Sequence, residues 1–158
     1  MTAGLFGWMC SSGVGELTDV GPGRFTGARY VDILEVLLPT VRAMAFPDQD
    51  PFYLVQDNSP IHTSRVVKNW FREHPEIEVL PHPPKSPDLN LIEHVWADMC
   101  KHMPNGCARR REIVVRNALR AWGRLGSDEG QVFMSEFVSS MRRRLKAVLE
   151  AGGGYTKY

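Results

Sequence analysis

Two acids in this sequence have the types and spacing to hold a divalent metal ion. Asp57, in Gln56-Asp57-Asn58-Ser59-Pro60-Ile61-His62, follows the apolar run Phe52-Tyr53-Leu54-Val55; Glu93, in Leu89-Asn90-Leu91-Ile92-Glu93-His94-Val95-Trp96, comes 35 intervening residues later. Carboxylate oxygens suit Mg²⁺, a hard cation that keeps several of its waters. Two such ions about 4 Å apart can activate an attacking oxygen and stabilise a leaving one in phosphodiester cleavage or transfer. An acid that ends a strand has a rigidly held backbone, and one in the first turn of a helix can swing its side chain into the same cleft. The expectation is that Asp57 and Glu93 converge at the carboxyl end of an interior strand, Phe52 to Gln56. Such sites normally use a third carboxylate from an earlier strand. Asp19, Asp32, Asp88 and Asp98 are the conceivable substitutes, but Asp88 reads as a turn residue and the others as exposed.

Each acid also has a simpler reading. Asp57 can cap the turn after its strand by accepting from backbone amides. Glu93, three residues after a candidate N-cap at Asn90, can complete a capping-box variant favoured by the helix dipole. Cys100, His102 and Cys107 lack the paired spacing of a structural zinc site.

The elements that must position these acids follow from periodicity. Leu5 to Cys10 and Val14 to Val20 read as strands of a hairpin around Ser11-Ser12-Gly13. From Thr26, apolar residues recur at threes and fours through Val41, predicting a helix that ends by Pro47 and kinks or breaks at Pro39. The run Phe52 to Val55 suits a strand buried on both faces. Ser59-Pro60 reads as an N-cap and first helical residue, with Val66, Val67, Trp70 and Phe71 as the buried stripe. Ile77 to Leu80 is a brief strand before a proline-rich loop, and a helix from Asn90 buries Ile92, Val95, Trp96, Met99 and Met103 on one face. Helices over Arg109 to Leu125 and Asp128 to Glu150 complete the chain.

A chain of 158 residues with 43% hydrophobic content can bury one substantial core. Its net charge of +1 conceals two arginine triplets, 109–111 and 142–144, which read as solvated faces able to contact phosphates. Three cysteines without a CxxC pair predict free thiols and a reducing compartment. With no bilayer-length apolar run and no signal-peptide start, the expectation is an intracellular protein, neither secreted nor in a membrane.

The segments Gln-Asp-Asn-x-Pro-x-His-Thr-Ser at 56–64 and Ser-Pro-Asp-Leu-Asn-x-Ile-Glu-x-x-Trp at 86–96 resemble the second and third acidic motifs of Tc/mariner-type transposases, members of the DDE (RNase H-like) superfamily of endonucleases. Gly7-Trp8-Met9-Cys10 with Gly13-Val14-Gly15, Tyr30-Val31-Asp32-Ile33-Leu34 and the closing residues 152–158 are similar to that family too, so the likeness covers nearly the whole chain. Leu91 departs from the pattern, which usually has proline there. The resemblance implies an α/β, RNase H-like mixed sheet flanked by helices, dependence on Mg²⁺ or Mn²⁺, cutting and rejoining of DNA at transposon ends, nuclear location, and association with itself or a related transposase. Asp57 would be the second catalytic acid and Glu93 the third, both as metal ligands, with Asn58, His62 and Lys85 on the substrate side. The family's first acid and its DNA-binding helix-turn-helix lie upstream of the segment matching residues 5–20. The expectation is therefore an N-terminally truncated domain, with residues 1–105 as the partial catalytic portion and 106–158 as its helical extension. Such a remnant would bind metal weakly and would be inactive by itself; the alternative is a non-catalytic DNA-binding or protein-interaction module of transposase descent.

Overall fold

The computed structural model describes residues 4–48, 51–84, 86–104, 110–154 and 156. In chain order the elements are β1 (Leu5–Cys10), β2 (Gly13–Asp19), α1 (Gly27–Ala45), β3 (Phe52–Leu54), α2 (Arg65–Glu73), β4 (Ile77–Val79), a short 3-10 turn (Pro87–Leu89), α3 (Leu91–Lys101), α4 (Arg111–Leu125), α5 (Asp128–Ser139) and α6 (Met141–Glu150). They form two compact units, one from residues 20–85 and one from the residues before and after that stretch. The expected boundary at 105/106 falls outside the described residues.

In the unit of residues 20–85, β3 and β4 pair in parallel, Phe52 opposite Ile77 and Leu54 opposite Val79. Phe52, Ile77 and Trp70 of α2 form the buried centre, against which Leu34, Leu38 and Val41 of α1 pack. The Trp70 indole N–H donates to the Glu35 carboxylate at 2.6 Å, so this large ring is buried with its polar tip satisfied. Thr26 caps α1 through its hydroxyl.

In the other unit, β1 and β2 form an antiparallel hairpin with an irregularity between Gly7 and Met9. Gly13 opens β2 at φ 138°, a conformation that favours glycine. The core joins Val95 and Met99 of α3, Ala118, Ala121, Trp122 and Leu125 of α4, and Met134 of α5, with Leu5, Met9, Val14 and Leu17 of the hairpin packed on it. Trp122 is its keystone: the indole N–H donates to the Gly15 carbonyl at 2.8 Å, and the ring stacks on Trp96 of α3 at 5.2 Å. A Cβ at Gly7 would lie 2.7 Å from that ring, so only glycine lets the strand approach so closely.

Several expectations change in detail. Helix α1 runs unbroken through Pro39, which is exposed. The strand at 52–55 is not buried on both faces: Phe52 is buried, but Tyr53 and Val55 are exposed, since β3 has only β4 as a partner among the described residues. Ser59 does accept from the Ile61 amide as a cap would, but the turn it starts ends at Thr63, and α2 begins afresh with Ser64 as N-cap. Val66 consequently faces outward and is exposed. The single helix expected over 128–150 breaks at Ser140 into α5 and α6. The triplet 142–144 is not a uniformly solvated face, because Arg144 is only 4% exposed. Cys10 and Cys100 are free thiols; Cys107 lies outside the described residues.

Candidate active site

Asp57 sits two residues beyond Val55, just past β3, where the chain turns toward α2. Its Oδ1 accepts from the Ser59 amide at 2.9 Å and meets His62 Nδ1 at 2.8 Å. The first bond is the Asx turn that the simpler reading expects. The second holds the carboxylate from across the turn, and Asp57 Oδ2 meets no partner among the described residues. His62 is held in its turn by the ring of Tyr30, 4.6 Å away between centroids.

Tyr30 is the residue that sequence reasoning placed merely in a helical stripe. It is 2% exposed, and its hydroxyl donates to Gln56 Oε1 at 2.7 Å, next to Asp57 in the chain. Burial, and secondarily the negative charge of Asp57, push its phenol well above the ordinary value of 10.0. It therefore stays a neutral donor. The signal that could have found it is the pairing of a lone aromatic hydroxyl in α1 with a glutamine adjoining a candidate ligand.

Asn58, exposed, donates its side-chain amide to the His82 carbonyl at 2.6 Å, tying the end of β3 to the segment after β4. An open cavity of about 620 Å³ adjoins these residues, lined among others by Asp57, Asn58, His62, Arg72 and His82. His82 Nε2 is buried without a hydrogen-bond partner among the described residues. The structure thus gathers Asp57, Asn58 and His62 in one turn; Lys85 lies outside the described residues.

Glu93 belongs to the other unit, at the third position of α3. It is exposed, and its carboxylate meets no partner among the described residues, although its amide donates to the Asn90 carbonyl at 3.1 Å. Asn90 is the N-cap residue, but its side chain makes no cap bond, so the capping-box variant does not form. Neighbouring His94 has its pKa lowered by burial and by the Arg144 guanidinium, whose Nη1 lies 3.3 Å from Nε2. Of the substitute acids, Asp19 is paired with Arg111 and Asp98 with Arg124, and Asp88 accepts from Thr156. Among the described residues no three histidine, cysteine or acidic side chains cluster as a metal site.

Comparison with known proteins adds the family. The sequence profile of the DDE superfamily endonucleases matches residues 5–113. The transposase of transposable element Tcb1 from Caenorhabditis briggsae is 36% identical over 157 residues, covering 96% of this chain and 53% of that protein. The chain thus spans about half the length of the curated relative it matches. A structure of the Mos1 transposase catalytic domain with Raltegravir and Mg superposes at a TM-score of 0.83 and 25% identity, covering 98% of this chain and 77% of the other. The Mos1 mariner paired-end complex with Mn gives a TM-score of 0.82 at 25% identity, covering 97% of this chain and 44% of the other.

Proposed function

The chain belongs to the DDE superfamily endonucleases, as a Tc/mariner-type transposase domain of RNase H-like fold, and from that premise we propose that Asp57 and Glu93 are two of the carboxylates that hold Mg²⁺ or Mn²⁺ for cleavage and transfer of DNA strands at transposon ends. The observation that carries the reading is the state of Asp57: one oxygen is fixed by Ser59 and His62, and the other, on a half-buried side chain, meets no partner among the described residues. A carboxylate so held keeps one hard oxygen free at a fixed place, which is what a divalent ion needs. Glu93, in the first turn of α3 and without a partner among the described residues, supplies a second oxygen donor of the same chemistry. When bound, the ions would polarise the reacting phosphate and lower the pKa of a water or hydroxyl. His62 then orients Asp57, Asn58 secures the chain after β4, and Lys85 contributes a cation for the DNA backbone. Residues 106–158 act as a helical extension of the catalytic domain, and the protein works on DNA in the nucleus, with itself or a related transposase as partner.

Two carboxylates give a small ligand count, so metal binding by the 158-residue chain is weak, and the chain assayed alone binds without cutting. Calorimetric titration with Mn²⁺ should give weak association that disappears in Asp57→Asn and in Glu93→Gln. Tight binding, or binding unchanged in both variants, sinks the assignment. A Mn²⁺-dependent nicking assay on transposon-end DNA should show no product; robust nicking lost in Asp57→Asn would mean that another acid completes the set.

A further inference from the structure

We infer that Arg144, far beyond the third acidic motif in sequence, is a positioning residue for Glu93, and that α6 and the segment after it clamp the loop from which α3 springs. The inference rests on the reading of Glu93 as a metal ligand. Its neighbours Arg142 and Arg143 are exposed, but Arg144 is buried. Its Nε donates to the Ser140 hydroxyl at 3.0 Å, its Nη1 donates to the Asp88 carbonyl at 2.9 Å, and its guanidinium carbon lies 4.9 Å from the centre of the Phe137 ring. Nη1 also reaches His94 Nε2, one residue past Glu93. From a different direction along the chain, the Thr156 hydroxyl donates to Asp88 Oδ2 at 3.0 Å.

Asp88 lies in the 3-10 turn that leads through buried Leu89 and Asn90 into the first turn of α3. That start lacks the side-chain cap that would fix it locally. Arg144 and Thr156 do not cap the α3 amides; they donate to Asp88 and so hold the turn that leads into the helix. Burying a guanidinium carries a solvation penalty that an apolar side chain of similar size would avoid. What arginine adds is a planar fork whose donors point in set directions, here toward α5, the turn and α3 at once. This arrangement suits a residue that fixes where a backbone lies, and the backbone it fixes carries Glu93.

The test uses the whole chain with amide NMR, following Mn²⁺ broadening of the α3 amides around Glu93 at a temperature where every variant is folded. Glu93→Gln should abolish the broadening. Arg144→Gln should weaken the Mn²⁺ response roughly tenfold, the lower end of what loss of a residue supporting a metal ligand does. Arg144→Lys should recover part of it, and Thr156→Val should weaken it less than either. Should Arg144→Gln fail to fold, Arg144→Lys and Thr156→Val read the same quantity. A merely structural arginine would lower the melting temperature and leave the response of the folded protein alone. Variants of Arg144 and Thr156 that respond like the wild type would therefore overturn the inference. A wild type with no response around Glu93, or one unchanged by Glu93→Gln, would refute the metal reading and this inference with it.

Discussion

Asp57 and Glu93 are held in opposite ways. Asp57 has its carboxylate bonded within its own turn, to Ser59 two residues on and His62 five residues on. Glu93 has a carboxylate without a partner among the described residues, and what is fixed is the helix beneath it, by Trp122 behind Trp96 and by Arg144 at the loop before α3. One acid is oriented as a side chain; the other is placed as a piece of scaffold. The difference teaches where damage should register. Changes near Asp57 should alter the carboxylate while sparing the fold, and changes that displace Glu93 should first be visible as lost stability.

The largest expected effect breaks the scaffold side. Trp122→Ala removes a ring that touches the hairpin, α3 and a backbone carbonyl, and should cost about 3–5 kcal/mol in urea unfolding. A loss under 1 kcal/mol would show that α3 is supported otherwise. Gly7→Ala inserts a Cβ where Trp122 already stands and should cost about 1–3 kcal/mol by overpacking. Pairing it with Trp122→Ala provides the check: in that background the alanine at 7 should cost much less, because the clash partner is gone.

The same contrast explains what the sequence made legible. The turn at Asp57 could be read because its partners lie within a few residues, and an aspartate that ends a strand readily accepts from the amide two residues on. The hairpin and the helix stripes were legible for the same reason of short range. Arg144 was not: within Arg142-Arg143-Arg144 nothing marks the third arginine, and its burial depends on Asp88 and His94, far away in sequence. Tyr30 escaped similarly, since its partner Gln56 is on another element. The start of α2 lies later than the sequence suggests because Ser59 does cap a turn, but that turn ends at Thr63 and the helix begins again after Ser64. The break at Ser140 lacks proline or glycine; its hydroxyl donates back to the Phe137 carbonyl and accepts from Arg144 four residues on, which itself reaches Asp88 and His94 far away in sequence.

On the Asp57 side, Tyr30→Phe removes one buried hydrogen bond and should cost about 1 kcal/mol at neutral pH. Its pH dependence sharpens the comparison. The phenol's pKa is raised in the fold, so above the ordinary value of 10.0 the unfolded chain sheds a proton that the folded chain keeps. Stability from this group is complete below that pH and is lost as pH rises toward the folded value. Denaturation curves should therefore steepen their decline above pH 10 in the wild type and less so in Tyr30→Phe. Parallel curves would mean that Tyr30 is not shielded and that the support of His62 by its ring is looser than drawn.

The smallest effect belongs to the Glu93 side and has the opposite sign along the pH axis. Burial and the cationic Arg144 lower the pKa of His94 below the ordinary 6.5, although the charge of Asp88 and the Asn90 backbone pull the other way. Between those two values the unfolded chain binds a proton that the folded one refuses, and stability must fall as pH drops through that window. His94→Gln keeps an amide oxygen able to accept from Arg144 and removes the titration. Unfolding midpoints measured from pH 7 to pH 5 should thus decline less steeply in His94→Gln than in the wild type, by less than the alkaline difference at Tyr30 because opposing contributions temper the shift. Should the two slopes coincide, His94 would titrate freely, Arg144 would not be near it in solution, and the scaffold that sets Glu93 apart from Asp57 would lose one of its members.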